Sequence, residues 1–342
     1  MSARLVGSIG SDLTRALRLL MLLGLSLLSA ALSLPDSLAP GRVAVITGAG
    51  AGLGKAAACK CAALGMHVVL VDVSDADLDS ATSAVSDHAS DSADVMSVCV
   101  DVSDRTGIFE LRDAVVERFG QVNFLMSNAG TGKAAPSLLR DFEAWQRNLD
   151  VNLHGNINVL QAFVPHILEQ QETPATIVVT GSKQGITCPP GNLAYNAAKS
   201  ALKVIAEGLQ HELRGSEHAT RVRAHLFVPG FVNTNLAVNY FKELKGDDFD
   251  PAEVPWSEDK PAKGGWMPDQ TIEYLLERVA AQSFYIICPD NDVTPQMDAK
   301  RIAWAAGDMV VRDVPLSRWD PAHKAAFAEF METGELADAL RE

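Results

Sequence analysis

The chain has 342 residues, 47% of them hydrophobic and 21% charged, a balance that lets one large α/β domain with extensions at both ends bury a sizeable core. A formal charge of -14 at pH 7, with no run of Lys and Arg against it, repels phosphate backbones and argues against nucleic-acid binding. Cys59, Cys61, Cys99, Cys188 and Cys288 lie in apolar segments without metal-ligand spacing, so free buried thiols and no metal site are expected.

Residues 19–34 read LLMLLGLSLLSAALSL, preceded by Arg4, Arg15 and Arg18 and closed by Pro35. As a helix the stretch would reach roughly 24 Å, short of a hydrocarbon core of about 30 Å. A cleaved secretory signal, a transit peptide and an uncleaved anchor all fit parts of it. Arginines ahead of an apolar stretch favour a cytoplasmic N-terminus. Residues 1–40 are therefore expected to be a targeting or anchor segment, making the protein membrane-anchored or organelle-targeted.

From residue 41 onward short β-branched runs alternate with helical stretches. Strands are expected at Val43–Thr47, His67–Asp72, 94–101, 122–127, 176–182, 223–228 and 284–288. Seven strands separated by helices predict a doubly wound parallel seven-stranded sheet, a Rossmann fold, over residues 41–290. Ligands of such sheets sit at the carboxyl ends of the strands. Residues 291–342 form an extension with Trp304, Trp319 and a helical stretch over 321–340, whose expected role is structural packing.

The first strand runs into Thr47-Gly48-Ala49-Gly50-Ala51-Gly52-Leu53-Gly54 and then a small-residue helix from Lys55. Glycines permit a tight turn and close backbone approach, and the helix start offers unpaired N–H groups to a pyrophosphate. A tight connection of no function could also use such glycines. The next strand, however, ends in Asp72, near the spacing expected for an acid that binds the adenosine ribose and repels a 2'-phosphate. NAD is thus expected in preference to NADP, although Lys55 could pair with a 2'-phosphate.

This arrangement resembles the short-chain dehydrogenase/reductase family over residues 42–288. Thr47, Gly48, Gly52 and Gly54 fulfil its Thr-Gly-x-x-x-Gly-x-Gly signature. Tyr195-Asn196-Ala197-Ala198-Lys199, with Ser182 thirteen residues earlier, is similar to its catalytic pattern. One helical turn separates Tyr195 from Lys199, so both can face one cleft. A Tyr-x-x-x-Lys pair alone is as readily an ordinary surface pair; its conjunction with Ser182, the glycine turn and Asp72 favours catalysis.

The resemblance implies an oxidoreductase interconverting a secondary alcohol and a ketone, or an alcohol and an aldehyde. Tyr195 would be the general acid/base, its ionisation favoured by the Lys199 ammonium and the oxidised nicotinamide, with Ser182 holding the substrate oxygen. Asn152 resembles the fourth catalytic residue, implied to hold a proton-relaying water near Lys199. Asp101 and Val102 resemble an adenine-contacting pair. Asn128, Ala129 and Gly130 resemble an Asn-Asn-Ala-Gly segment, from which Ser127 departs. Pro229, Gly230, Val232 and Thr234 resemble a segment that orients the nicotinamide carboxamide. The family also implies a homo-oligomer, dimer or tetramer.

Substrate lining is expected from residues 131–136, 184–192 and 236–267, the last carrying Tyr240, Phe241, Trp256 and Trp266 as a candidate lid. The alternatives are an epimerase or dehydratase, whose glycine spacing differs, an enoyl reductase, whose Tyr-to-Lys spacing is longer, and a non-catalytic nucleotide-binding or membrane-tethered scaffold.

Overall fold

A computed structural model describes residues 33–340 apart from 91–92, 133–137, 140, 171–172, 237, 239–247 and 249. The described chain forms a seven-stranded parallel sheet in the order β3-β2-β1-β4-β5-β6-β7. The strands are β1 Val43–Thr47, β2 His67–Asp72, β3 Val95–Cys99, β4 Phe124–Ser127, β5 Ala175–Thr180, β6 Val222–Val228 and β7 Tyr285–Ile287. Every residue of β1, β4 and β5 is buried, because helices cover both faces of a parallel sheet and leave no solvated side for polar residues to alternate onto. β3 is an edge strand, and exposure alternates along part of it.

Two helical layers follow from the chain order: α1 Gly52–Ala63, α2 Asp75–His88 and, later, α8 Pro268–Ala280 lie over one face, where Ala58, Leu78 and Leu275 join Ile46, Leu70 and Phe124 in one core. On the other face α3 Arg105–Phe119, α5 Asn156–Glu169 and α7 Leu193–Arg214 supply Val115, Phe163 and Leu202 against Val45, Leu125 and Ile177. Local signals set the helix ends. Ser74 and Asp104 cap α2 and α3 by accepting the Asp77 and Thr106 N–H groups, and Gly120 closes α3 at φ 70°.

The observed strands stop short of some sequence limits. At β4 the Asn123 side chain, not a ladder carbonyl, accepts the Val43 N–H at 2.9 Å, so regular pairing with β1 starts at Ala44 and Phe124. Gly181 and Ser182 lie beyond the end of β5, at the carboxyl edge where the site forms.

Beyond β7, α9 Pro295–Gly307 and α10 Lys324–Thr333 build a small separate core of Trp304, Phe330 and Ala339. The helical stretch expected over 321–340 breaks at Gly334 and resumes as a 3-10 turn, Leu336–Leu340.

Two expectations are corrected. All five cysteines are free, but Cys99 is exposed, because it ends the edge strand; Cys61 and Cys288 are buried, and burial pushes both thiols up to about 12. A membrane-anchored or organelle-targeted placement is withdrawn: among the described residues no helix is long and apolar enough to cross a membrane. The apolar stretch 19–34 lies outside the described residues up to residue 32.

Candidate active site

The glycine turn joins β1 to α1 and is closed by backbone contacts that tolerate no side chain. Gly48 and Gly52 have φ of 67° and 55°, conformations costly for residues with a Cβ. A Cβ on Gly54 would stand 2.0 Å from the Gly48 carbonyl oxygen, and one on Gly48 2.9 Å from Ala129 Cα. The turn is thus pressed against the 128–130 segment, and Leu53, in the first turn of α1, packs on the neighbouring core.

Asp72 holds this turn in place. Its Oδ2 accepts the Gly50 N–H at 2.9 Å, and its Oδ1 accepts those of Val73 and Ser74 at 2.8 and 3.3 Å. A Cβ on Gly50 would approach Asp77 Cβ at 2.8 Å, so Asp72 and Asp77 both flank the turn. The arrangement could hold a dinucleotide, with its pyrophosphate against the start of α1 and its ribose toward Asp72.

The cross-strand brace runs through Thr47 and Asn128. Thr47 Oγ1 accepts the N–H groups of Asn128 and Ala129 at 2.9 and 3.1 Å. Asn128 Nδ2 donates to the Thr47 carbonyl at 3.0 Å, and Thr180 Oγ1 donates to Asn128 Oδ1 at 3.2 Å. The Asn128 side chain therefore ties β1, β4 and β5 together. Ser127, the departure from the Asn-Asn-Ala-Gly pattern, is fully buried and donates to Asn156 Oδ1 at 2.7 Å; its hydroxyl is engaged inside the fold. Asp101 turns its carboxylate into its own loop, accepting the Ser103 N–H and Oγ–H at 2.8 Å each. Val102 is buried against Gly155, where a Cβ would meet its Cγ2 at 2.4 Å.

Asn152 lies in a π-helical turn, Asp150–Gly155, between α4 Phe142–Leu149 and α5, where the regular helix expected from sequence is interrupted. Such turns displace one residue from the i to i−4 ladder and recur at functional sites. Here the buried Asn152 side chain accepts the Thr131 N–H at 3.1 Å and donates to the Thr131 carbonyl at 3.0 Å and to Asn148 Oδ1 at 3.1 Å. A Cβ on Gly130 would meet Asn152 Oδ1 at 2.8 Å and Lys199 Nζ at 3.7 Å. One glycine thus separates the amide from the ammonium.

Tyr195 and Lys199 come from the first two turns of α7, which begins after the loop following the short α6 Gln184–Thr187. Lys199 is buried; its Nζ donates to the Thr180 carbonyl at 2.9 Å and stands 5.7 Å from the Tyr195 ring centroid. Burial lowers its pKa to about 8. Burial pushes the Tyr195 phenol above its ordinary value, against the lowering pull of the Ser182 side chain just past β5. In the protein alone desolvation dominates this phenol; the expected lowering also calls on the oxidised nicotinamide.

After β6 the chain turns through Pro229 and Gly230, where a Cβ would stand 2.8 Å from the Pro289 carbonyl. Val232 forms a parallel bridge to Trp266, and the Thr234 methyl lies 3.1 Å from where a Cβ on Gly52 would be. Through Thr234 the 229–234 segment therefore reaches the glycine turn. Of the expected lining, 133–136, 237, 239–247 and 249 fall outside the described residues, Tyr240 and Phe241 among them. Trp256 packs edge-on against Phe231 at 5.1 Å, and Trp266 against Tyr274 at 5.8 Å.

Three groups escaped the sequence reading. Asn148 and Asn156 flank Asn152 at four-residue spacing, a pattern that could have disclosed a polar stripe on one helix face. Glu258 gave no local signal. Its half-buried carboxylate sits at the Gly52 N–H; burial raises its pKa, against the lowering pull of that N–H and of Lys55, and its Oε1 is shielded from solvent. An acid thus occupies the end of α1 that would face a pyrophosphate.

The family pattern of the short chain dehydrogenases matches residues 42–245. The chain belongs to that family and is an oxidoreductase of it. SadH of Mycobacterium tuberculosis is 34% identical over 199 residues, covering 58% of this chain and 70% of that protein. The 3-oxoacyl-acyl-carrier-protein reductase FabG of Thermotoga maritima is 32% identical over 196 residues, 57% of this chain and 76% of its own. A short chain dehydrogenase/reductase of Burkholderia phymatum, solved in complex with NAD, superposes with a TM-score of 0.69 at 30% identity, over 81% of this chain and 96% of its own.

Proposed function

We propose that the protein interconverts a secondary alcohol and a ketone, or an alcohol and an aldehyde, using NAD in preference to NADP, with Asn152, Ser182, Tyr195 and Lys199 as the catalytic set. The observation that carries this reading is the buried Lys199 ammonium 5.7 Å from the Tyr195 ring, with the Ser182 side chain acting on the Tyr195 hydroxyl. Residues 41–290 form the catalytic unit and residues 291–342 an extension to it. A homo-oligomer, dimer or tetramer, fits the family and the exposed Val204 of α7.

The dinucleotide supplies the acceptor or donor of the hydride. Gly48, Gly52, Leu53 and Gly54 hold its pyrophosphate, Asp72 its ribose, Asp101, Val102, Asn128, Ala129 and Gly130 its adenine side and flank, and Pro229, Gly230, Val232 and Thr234 its carboxamide. Asp72 and Asp77 beside the turn favour NAD, since a 2'-phosphate there meets carboxylates. The substrate oxygen is positioned between Ser182 and Tyr195. In oxidation the phenolate takes the hydroxyl proton; in reduction the phenol donates it to the carbonyl oxygen. Asn152, Lys199 and Gly130 bound the place from which that proton is replaced. The NAD complex of the Burkholderia protein and the oxo substrate in the name of FabG support the same class of reaction.

The full chain incubated with a panel of secondary alcohols and ketones, followed at the nicotinamide absorbance band, is expected to turn over at least one of them with NAD and more slowly with NADP. Absence of turnover across the panel with bound coenzyme would favour a non-catalytic nucleotide-binding protein.

Glu258 gives a separate expectation. A carboxylate at the start of α1 opposes a pyrophosphate by about 1 kcal/mol at contact range in a well-screened site, so Glu258→Gln should bind NADH about fivefold more tightly. The ionised form is the repelling one, so wild-type affinity for NADH should fall as pH rises through the raised Glu258 pKa. Fluorescence titration of NADH between acid and neutral pH reads both effects; a pH dependence surviving in the variant assigns it elsewhere.

A further inference from the structure

The extension beyond β7 forms a solvent-open cavity of about 230 Å³ against the short α6 turn. Neither Ser182 nor Tyr195 lines it, yet Gln184 does, and the Gln184 N–H donates to Ser182 Oγ at 3.2 Å. The cavity thus lies beside the catalytic cleft, separated from it by one turn of chain.

Its charges do not balance. Lys183 Nζ is 2.6 Å from Asp298 Oδ2 and 3.5 Å from Asp290 Oδ2, so two carboxylates are committed to that lysine. Arg301 reaches Asp298 only at 3.9 Å, and its Nε is buried with no hydrogen-bond partner. Arg318 forms no ion pair among the described residues; its guanidinium lies 4.8 Å from the Trp319 ring and 5.2 Å from the Phe327 ring. Burial and the neighbouring Arg301 oppose its charge, and Asp298 favours it without pairing with it. Three cations therefore share two carboxylates, and the surplus positive charge belongs to the two arginines at the cavity wall. Arginine keeps its proton under these conditions, and a partly buried guanidinium fork is complementary to a planar carboxylate.

Lys183 and its partner Asp298 also line the wall, with Gln184 and Thr187, and the remainder is apolar, from Ile186, Ile287, Ile302 and Trp319. At about 30 Å³ for a water-sized group, the volume seats roughly six to eight heavy atoms. We infer that this cavity binds a monocarboxylate with a short apolar body, its carboxylate held by Arg301 and Arg318 and its chain packed on the isoleucines and Trp319. A bare phosphate would leave those apolar surfaces unfilled, and a neutral alcohol of the same length would leave the guanidinium groups without a counterion. No residue of the proposed catalytic set lines it, while Gln184, Ile186, Thr187 and Pro189 belong to the 184–192 stretch expected to line the substrate, so the cavity adjoins that site and differs from it in its two arginines.

The test uses the full chain saturated with NADH, so that hexanoate cannot report through the coenzyme site. Calorimetry and tryptophan fluorescence follow titration with hexanoate, hexan-1-ol and inorganic phosphate. Hexanoate should bind saturably, change the fluorescence and raise the melting temperature, with the alcohol and phosphate weaker. Loss of one charge-assisted contact corresponds to about a ten- to hundredfold weakening, expected for Arg301→Gln and for Arg318→Gln, with NADH affinity unchanged. Trp319→Phe should retain binding while losing most of the fluorescence change. If either arginine variant fails to fold, the hexanoate, hexanol and phosphate series on the wild type decides. Absence of hexanoate binding, equal affinity for hexanol, phosphate binding as tightly as hexanoate, or folded variants with wild-type affinity would each overturn the proposal.

Discussion

Tyr195→Phe is expected to lower kcat by about 10²–10⁴-fold, the usual contribution of a positioned general acid or base, while leaving NADH affinity unchanged. The substitution keeps the ring that lies 5.7 Å from Lys199 Nζ and removes only the hydroxyl that Ser182 engages. Packing at the start of α7 should survive, and the loss should fall on proton transfer. Because burial raises the phenol pKa, wild-type alcohol oxidation, which needs the phenolate, should accelerate as pH rises toward that value. Carbonyl reduction needs the proton in place and should decline only above it. Steady-state kinetics in both directions, with NADH binding followed by fluorescence, reads all three effects. A variant as active as the wild type would remove Tyr195 from the mechanism.

Lys199→Met should also cut turnover by about 10²-fold or more, on the same scale of proton-transfer contributions, and it carries a second signature in stability. The folded protein holds this lysine at about 8 against an ordinary 10.5. Between those values the unfolded chain binds more protons than the folded one, so stability rises with pH across that window. Below pH 8 both states carry the proton, and the fold bears the full penalty of a buried ammonium; above 10.5 neither does, and the penalty is gone. A difference of this size corresponds to about 3 kcal/mol. Met has similar length and no charge, so the variant lacks the effect. Its own cost, an undonated Thr180 carbonyl, does not titrate. Urea unfolding at pH 7 and pH 10 should therefore show wild type gaining about 3 kcal/mol on the variant. Parallel curves for the two proteins would mean that Lys199 is solvated or already neutral in the fold.

What was readable in the chain was local. The glycine turn is legible because φ of 67° and 55° at Gly48 and Gly52 is a demand on individual residues, met in sequence by glycine itself. The Tyr195 to Lys199 spacing is legible because one helical turn fixes it. The seven parallel strands could be read because burial on both faces writes near-continuous apolar runs, and only their limits shifted, as at Asn123, where a side chain replaces a ladder acceptor.

Groups placed by chain packing left no such trace. Glu258 reaches the Gly52 N–H from more than two hundred residues away. The cavity of Arg301 and Arg318 exists only because the extension folds back on the α6 turn. The depressed pKa of Lys199 and the raised one of Tyr195 are likewise products of burial. Desolvation depends on every atom that excludes water from a group, wherever it stands in the chain, so motif spacing pointed to the candidate catalytic residues while the assembled fold set their protonation.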